Sequence, residues 1–482
     1  MTNSNASESF NLNISKSFLA WGILLIIASS YCILAFQADL RLSIATLTGA
    51  SALIMVLLAI AVYLGETRDI GWSPRAIIIV AAAFRLMFLF RSPELSDDIY
   101  RYLWDGLTIL HGNNPYAFAP SDAKPLAADL LSHVNHPHLI TIYPPAAQII
   151  FAIGAFLGGI LGIKAVLVAA DIAVCAIILR ILSRMKMPPS RAVLYAWHPL
   201  PILEIAGSGH IDGAGILFLM LAFMLLIPRK NDPVFSSSNN GPASAVAGVA
   251  FSLAVLVKLF PLVFFPAFLF LAGRKGRGPF ILGTVIGAAA LSIPFLPGLY
   301  NMFTTLEIYV RNWEFAGFAF QSLHEMFPSD STARQIITVT FLLIAATLYA
   351  SLFRKRENPA ADVYTPSLFP AAFKTAYCIT LAFLLLTPTL HPWYALYLAF
   401  LLPFVPGIAG QVMTWAVLLS YRVLINFTLL GTWEEKDAIP AMIWAATVGT
   451  LVLSWLARRW SIYFYQHGKT SPSLSEMSGG RR

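Results

Sequence analysis

The sequence predicts an all-α, polytopic integral membrane protein, and three observations carry that prediction. Of 482 residues, 58% are hydrophobic and only 12% are charged, against about 25% charged in an ordinary soluble domain. The mean hydropathy is +0.71. Apolar runs of roughly 15 to 22 residues recur along almost the whole chain. A water-soluble globule needs a largely polar skin, and this chain has too few polar residues to supply one.

The apolar segments fall near 17–36, 43–64, 75–90, 144–163, 164–182, 191–206, 210–227, 243–257, 259–272, 279–297, 334–353, 373–390, 392–406, 410–430 and 438–458. Most match the length of a membrane-crossing helix, which predicts a bundle of about 13–14 spans over residues 17–460. The first is too long for the apolar part of a cleavable leader, so it is expected to be retained. Its Asn/Ser-rich lead, 1–16, reads as a disordered cytoplasmic tail, and 461–482 as a second cytoplasmic tail.

Basic clusters at Arg184, Lys186 and Arg191, at Arg274, Lys275 and Arg277, at Arg354, Lys355 and Arg356, and at Arg458 and Arg459 should face the cytoplasm. Acid-bearing loops at 92–142, 298–333 and 431–437, the last holding Glu434, Glu435 and Asp437, should face outward. Between the first loop and Arg184 lie two apolar segments where parity permits one crossing. The Gly-rich segment 144–163, opened by Tyr143-Pro144-Pro145, is therefore expected to be shallow or re-entrant, a backbone tolerated only against protein or a water-filled cavity.

The net charge of +8 is dispersed among these clusters, so it argues for topology and against nucleic acid. Cys32, Cys175 and Cys378 lie in apolar stretches and offer neither a disulfide framework nor metal-ligand spacing.

Loop 92–142 holds six acids, Glu94, Asp97, Asp98, Asp105, Asp122 and Asp129, against Arg101 and Lys124. Its length exceeds that of a mere connector. Ser96 to Gly112 carries helix signals: Ser96 as N-cap, acids in the first turn, glycine as a stop. Ile99, Leu103, Gly106, Leu107 and Leu110 form one stripe, expected to lie on the bilayer surface as an amphipathic helix. Asp98, Arg101, Tyr102 and Asp105 share the other face. Asp97 and Asp98 suit helix-dipole complementation, and they equally suit a general base held where a lipid-borne substrate would react.

The ordered series SDDIYRYLWDG, GNNPYAFAP, IYPPAAQ, WHPLPILEIAGSGHIDG, VKLFPLVFFP and LHPWYALY, spread over residues from about 75 to 430, resembles the GT-C superfamily of membrane glycosyltransferases. It is most similar to bacterial polyprenyl-phosphate-mannose-dependent mannosyltransferases of the family 87 type. The resemblance implies a multi-span helical bundle, a catalytic acid in the first large extracytoplasmic loop, and a polyprenyl-phosphate sugar donor. It also implies a multi-pass protein of the bacterial inner membrane. The family's acidic motif falls on Asp97 and Asp98, with Asp105 as third choice.

A phosphate leaving group departs without a proton, so such a reaction requires a base for the acceptor and cations for the phosphate. Lys258, between two apolar segments, is expensive there without an anionic partner. A snorkelling lysine is the plainer reading. His391 could donate to phosphate, while Trp393 and Tyr394 could pack a sugar or anchor in the interface. The small-residue turn 207–213 carries His210 and Asp212, flanked by Glu204, and could meet sugar hydroxyls.

Arg422, inside an apolar span, is expected to face an internal cavity, a carboxylate or the donor phosphate, structural pairing with Asp171 or Glu204 being the plainer reading. Arg101, Tyr102, Asp105, Asn114 and Tyr143 complete the candidate substrate contacts, Asn114 being equally suited to bracing a turn. Arg311 and Trp313 are placed to meet the acceptor. No obligatory metal is expected, since His210 and Asp212 alone are too few ligands, although a loosely held divalent cation at Asp97 and Asp98 is compatible with the sequence.

The expected activity is hexose transfer, mannose by resemblance, to a glycan or glycolipid. A flippase for lipid-linked sugars should show inverted repeats and a midplane site. An oligosaccharide polymerase or ligase should carry a late loop rich in arginine and histidine. The long acidic first loop and the poorly basic 298–333 loop argue against both.

Overall fold

The computed structural model describes residues 2–123, 128–227, 241–327, 329–355, 368–436 and 438–467. The described residues form helices, with no strand beyond isolated bridges of Phe315 and Ala316 to Thr389. In order they are α1 (Thr2–Ala35), α2 (Ile44–Thr67), α3 (Pro74–Leu89), α4 (Asp98–Leu110), α5 (Ala128–Leu131) and α6 (Pro145–Arg184). Then follow α7 (Val193–Ala196), α8 (Pro199–Pro201), α9 (Asp212–Leu226), α10 (Gly241–Val257), α11 (Phe265–Ser292) and α12 (Leu296–Asn312). The last are α13 (Phe318–Met326), α14 (Asp330–Arg354), α15 (Leu368–Leu386), α16 (Leu396–Ala399), α17 (Ile408–Ala416), α18 (Val423–Leu430) and α19 (Ala438–His467). Lys124, Arg356, Asp437 and 468–482 lie outside the described residues.

Among the described residues eight helices are long and apolar enough to cross a membrane, and α9 and α10 are shorter apolar helices. The chain is therefore a multi-pass integral membrane protein. The number differs from the 13–14 expected because apolar composition does not guarantee a continuous helix. Segment 191–206 breaks at its prolines into α7, α8 and a π-turn over 202–207, and 392–406 breaks into a 3-10 turn, α16 and irregular backbone. Residues 2–16, expected as a tail, continue α1 toward its start at Thr2. Loop 298–333 is mostly helical, carrying α12 and α13.

The two segments 144–163 and 164–182 are joined in α6, whose two arms meet at Gly158 and Gly159. Gly158 and Gly159 take φ values of 139° and 67°, backbone that other L-residues rarely adopt, and the chain folds back there. A Cβ on Gly162 would run into the Gly154 carbonyl. The first arm, 145–157, rises only about 20 Å, short of a hydrocarbon core of about 30 Å.

The ion pair of Arg85 on α3 with Asp171 on α6 ties the middle of the bundle. The Nε–Oδ2 distance is 2.6 Å and both side chains are fully buried. Tyr195 donates to the other carboxylate oxygen at 2.5 Å, and Arg85 Nη1 donates to the Ala81 and Ala196 carbonyls. Asp171 is thereby taken, so the expected Arg422–Asp171 pair does not form. Lys164 donates from Nζ to the carbonyls of Phe88 and Arg91 at 3.0 and 2.6 Å, closing the C-terminal end of α3. Beyond it Glu94 accepts from Arg91 and from the Leu40 amide. The chain therefore enters the acidic loop from a fixed point.

Candidate active site

Helix α4 starts one residue later than the sequence signals suggest. Asp97 is its N-cap residue but makes no side-chain capping bond, while Ser96 Oγ accepts from the Asp98 amide at 3.3 Å. Its apolar stripe is divided: Ile99 is fully buried and Gly106 lies against the Phe151 carbonyl where α4 packs on α6, Leu103 and Leu107 are half-buried, and Leu110 stays exposed. The opposite face is buried too. Arg101 Nε meets Asp105 Oδ1 at 2.9 Å, Gln148 donates to Asp105 Oδ2 at 3.0 Å, and Arg101 Nη1 donates to the Leu139 carbonyl. Tyr102 stacks on Phe151 at 4.3 Å. Tyr102 and Asp105 therefore brace the loop and do not line the cavity; Arg101 reaches it.

That cavity measures about 1070 Å³ and combines two kinds of wall. One is polar, with Arg41, Asp97, Asp98, Tyr143, Lys258 and Asp212. The other is apolar, with Leu262, Val263, Leu306, Phe341 and Phe383. Leu262 is 56% exposed, so this wall opens to the surroundings of the bundle.

The polar wall separates the two candidate acids. Asp98 Oδ2 accepts from the Tyr143 hydroxyl at 3.2 Å, and a quarter of its side chain is exposed. Burial pushes its carboxyl up to about 6, and Asp212 and Asp97 push the same way, against the opposing pull of Lys258 and the Tyr143 hydroxyl. Asp97 is also raised by burial, and Arg41 and His133 oppose the shift. Asp98 thus belongs with Lys258, and Asp97 with the rim.

Lys258 follows α10 at a break before the 3-10 turn 260–264. Its Nζ lies 3.5 Å from Asp212 Oδ2, and 5.8 and 5.7 Å from the ring centroids of Tyr143 and Tyr394. Tyr394 shares a 2.6 Å hydroxyl contact with Tyr309. His391 and Trp393 also line the cavity, stacked on one another at 4.3 Å. Burial holds the His391 imidazole down to about 3, and Lys258 adds to that. His391 is a neutral donor or acceptor here.

Several expectations are corrected. His210 is buried behind Asp98, outside the cavity lining, so of the turn 207–213 it is Asp212 that reaches the cavity. Gly209, at φ 78°, lets this turn close onto α4: a Cβ there would strike Ile99. Asn114 braces the backbone, accepting from the Tyr116 amide and donating to the Phe295 carbonyl. Arg422 sits in the 3-10 turn 417–422 and faces a separate small pocket with Glu434 and Glu435. Glu204 is engaged by Tyr421 and His210, so neither expected partner of Arg422 holds it. Trp313 lines the cavity, whereas Arg311 is exposed and paired with Glu307 at 2.6 Å.

The sequence offered no sign of Arg41, which lies between α1 and α2, nor of Tyr309 and His136, all three on the cavity wall. Only three-dimensional proximity to Asp97, Tyr394 and Trp313 marks them. Among the described residues no group of three or more His, Cys, Asp or Glu is arranged to hold a metal ion.

The model of glycosyltransferase family 87 matches residues 141–369, from the turn at Tyr143 through Lys258 to the start of α15. No curated protein and no solved structure matches the chain.

Proposed function

We propose that this membrane glycosyltransferase moves a hexose, mannose foremost, from a polyprenyl-phosphate donor to a glycan or glycolipid acceptor. The transfer takes place on the extracytoplasmic face of a bacterial inner membrane, with both chain termini cytoplasmic. The observation that carries this reading is the juxtaposition in one cavity of a carboxylate, Asp98, and an ammonium, Lys258, beside an apolar wall open at Leu262. A donor with a charged head and an apolar tail matches that division.

Asp98 accepts the proton of the acceptor hydroxyl as its oxygen attacks the anomeric carbon. The bond from that carbon to the phosphate oxygen breaks, and the phosphate leaves with the electron pair. Lys258 and neutral His391 are the groups at hand to steady its charge. A single displacement inverts the anomeric centre, so a β-linked donor yields an α-linked product. Tyr394 and Trp393 offer faces for the sugar.

The test is turnover of radiolabelled polyprenyl-phosphate mannose by membranes holding equal amounts of wild type, Asp97→Asn or Asp98→Asn protein. Asp98→Asn is expected to lose about a hundredfold or more, Asp97→Asn much less. Full activity in Asp98→Asn overturns the assignment.

A further inference from the structure

Behind Asp98 lies a group of polar side chains, reaching the cavity wall only at Tyr421, that this reaction leaves unused. Neither ring nitrogen of His210 has a hydrogen-bond partner among the described residues. Nδ1 stands 3.8 Å from Asp98 Oδ2, and Nε2 stands 3.4 Å from Glu204 Oε2. Glu204 is fully buried, and its two carboxyl oxygens face the Tyr421 hydroxyl at 2.8 and 2.9 Å. Trp393 stacks on the imidazole at 4.0 Å and fixes its plane.

A neutral imidazole has one N–H and one lone pair. With a carboxyl at each nitrogen, both contacts are satisfied only if one carboxyl carries a proton. Glu204 is the better holder: it is sealed from solvent and touches a hydroxyl and a histidine, while Asp98 lies in the field of Lys258 and opens to the cavity. Protonated Glu204 then donates to Nε2, and the ring keeps its hydrogen on Nδ1, facing Asp98.

We propose that His210 is the positioning residue of the base: its Nδ1–H holds Asp98 Oδ2, and Glu204 fixes the tautomer that keeps the hydrogen there. The proposal rests on Asp98 being the base. The distances are longer than finished hydrogen bonds, as is common in catalytic groups before substrate binds. The charged and titratable groups facing Asp98 are Tyr143, Lys258, Asp97, Asp212, Tyr102, Glu204, Tyr309, Tyr421 and His210; those facing His210 are Asp98, Glu204, Lys258 and His391. Removing the Nδ1 donor withdraws a bond to the carboxylate form of Asp98, so the acid limb of the rate profile moves up in pH.

The test compares His210→Gln with His210→Asn in full-length protein, using polyprenyl-phosphate mannose as donor and native membranes as the source of acceptor. The glutamine amide reaches toward the place of Nε2, the asparagine amide toward that of Nδ1. His210→Gln is expected to lower kcat about ten- to a hundredfold and to raise the acid limb by about one pH unit, with the donor KM unchanged. His210→Asn recovers most of that loss and restores the profile. Equal behaviour of the two, or wild-type kcat and profile in His210→Gln, overturns the proposal. If His210→Gln does not fold, Glu204→Gln, which keeps a donor for Nε2, should retain the activity that Glu204→Met loses; equal activity of that pair overturns it. An inactive Asp98→Asn beside a normal His210→Gln removes only this proposal, whereas an active Asp98→Asn removes the base itself.

Discussion

The Tyr143 hydroxyl reaches Asp98 Oδ2 across 3.2 Å, joining the turn that leads into the folded-back helix α6 to the first turn of α4. This bond supports the charged carboxylate from one side while Lys258 supports it through space, and burial opposes both. Asp98 is left with an affinity for protons close to neutrality, suited to taking one from a hydroxyl and releasing it again.

That affinity fixes the sign of the pH response. In the proposed reaction Asp98 acts as carboxylate, and burial pushes its carboxyl up to about 6, so kcat/KM should rise with pH and level off above that value. Turnover measured between pH 4.5 and 8 checks this; a flat profile, or one that falls across pH 6, contradicts it.

Lys258→Met should raise the donor KM about ten- to a hundredfold, because a phosphate loses its nearest ammonium and Asp212 is left as an uncompensated buried acid. Lys258→Arg should recover part of the affinity. Donor titration at saturating acceptor separates this from a lysine that merely snorkels, whose replacement would leave KM alone.

Arg85→Leu and Asp171→Asn each break a fully buried ion pair. Each should destabilise the protein by about 3–5 kcal/mol, since the partner stays charged and sealed from water. The double replacement by apolar residues should cost less than either single change. Unfolding in detergent, followed by tryptophan fluorescence, measures all three.

Ser121 sits in the exposed part of loop 92–142. Ser121→Cys should react with a membrane-impermeant maleimide in intact spheroplasts. Labelling only after lysis would place the loop, and with it the proposed reaction, on the cytoplasmic side.

Much of this site is legible in the sequence: Lys258 stands out because charge between apolar segments is costly, Asp97 and Asp98 as acids in the first turn of a loop helix, His391 as a histidine at a proline-broken helix end, and all four line the cavity. Arg422 stands out equally, yet turns to a different pocket, because neighbouring residues of one 3-10 turn point in different directions. Tyr102 and Asp105 look solvent-facing by helical periodicity. Their true partners, Phe151 and Gln148, are more than forty residues away and come from an apolar helix whose few polar atoms give no warning. Glu204 and His210 are visible as residues, but their meeting with Asp98 depends on Gly209 folding the turn against α4.

The short arm of α6 bears on the lipid as well as on the protein. Its outward side chains Ile153, Phe156 and Leu157 are exposed, so acyl chains beside them must match an apolar strip shorter than an ordinary leaflet pair. Lipid meets such a mismatch by compressing locally. Headgroups around α6 would be drawn inward there, so the depth at which the proposed lipid-borne donor would meet Asp98 is set partly by the membrane, and thicker bilayers should slow the encounter.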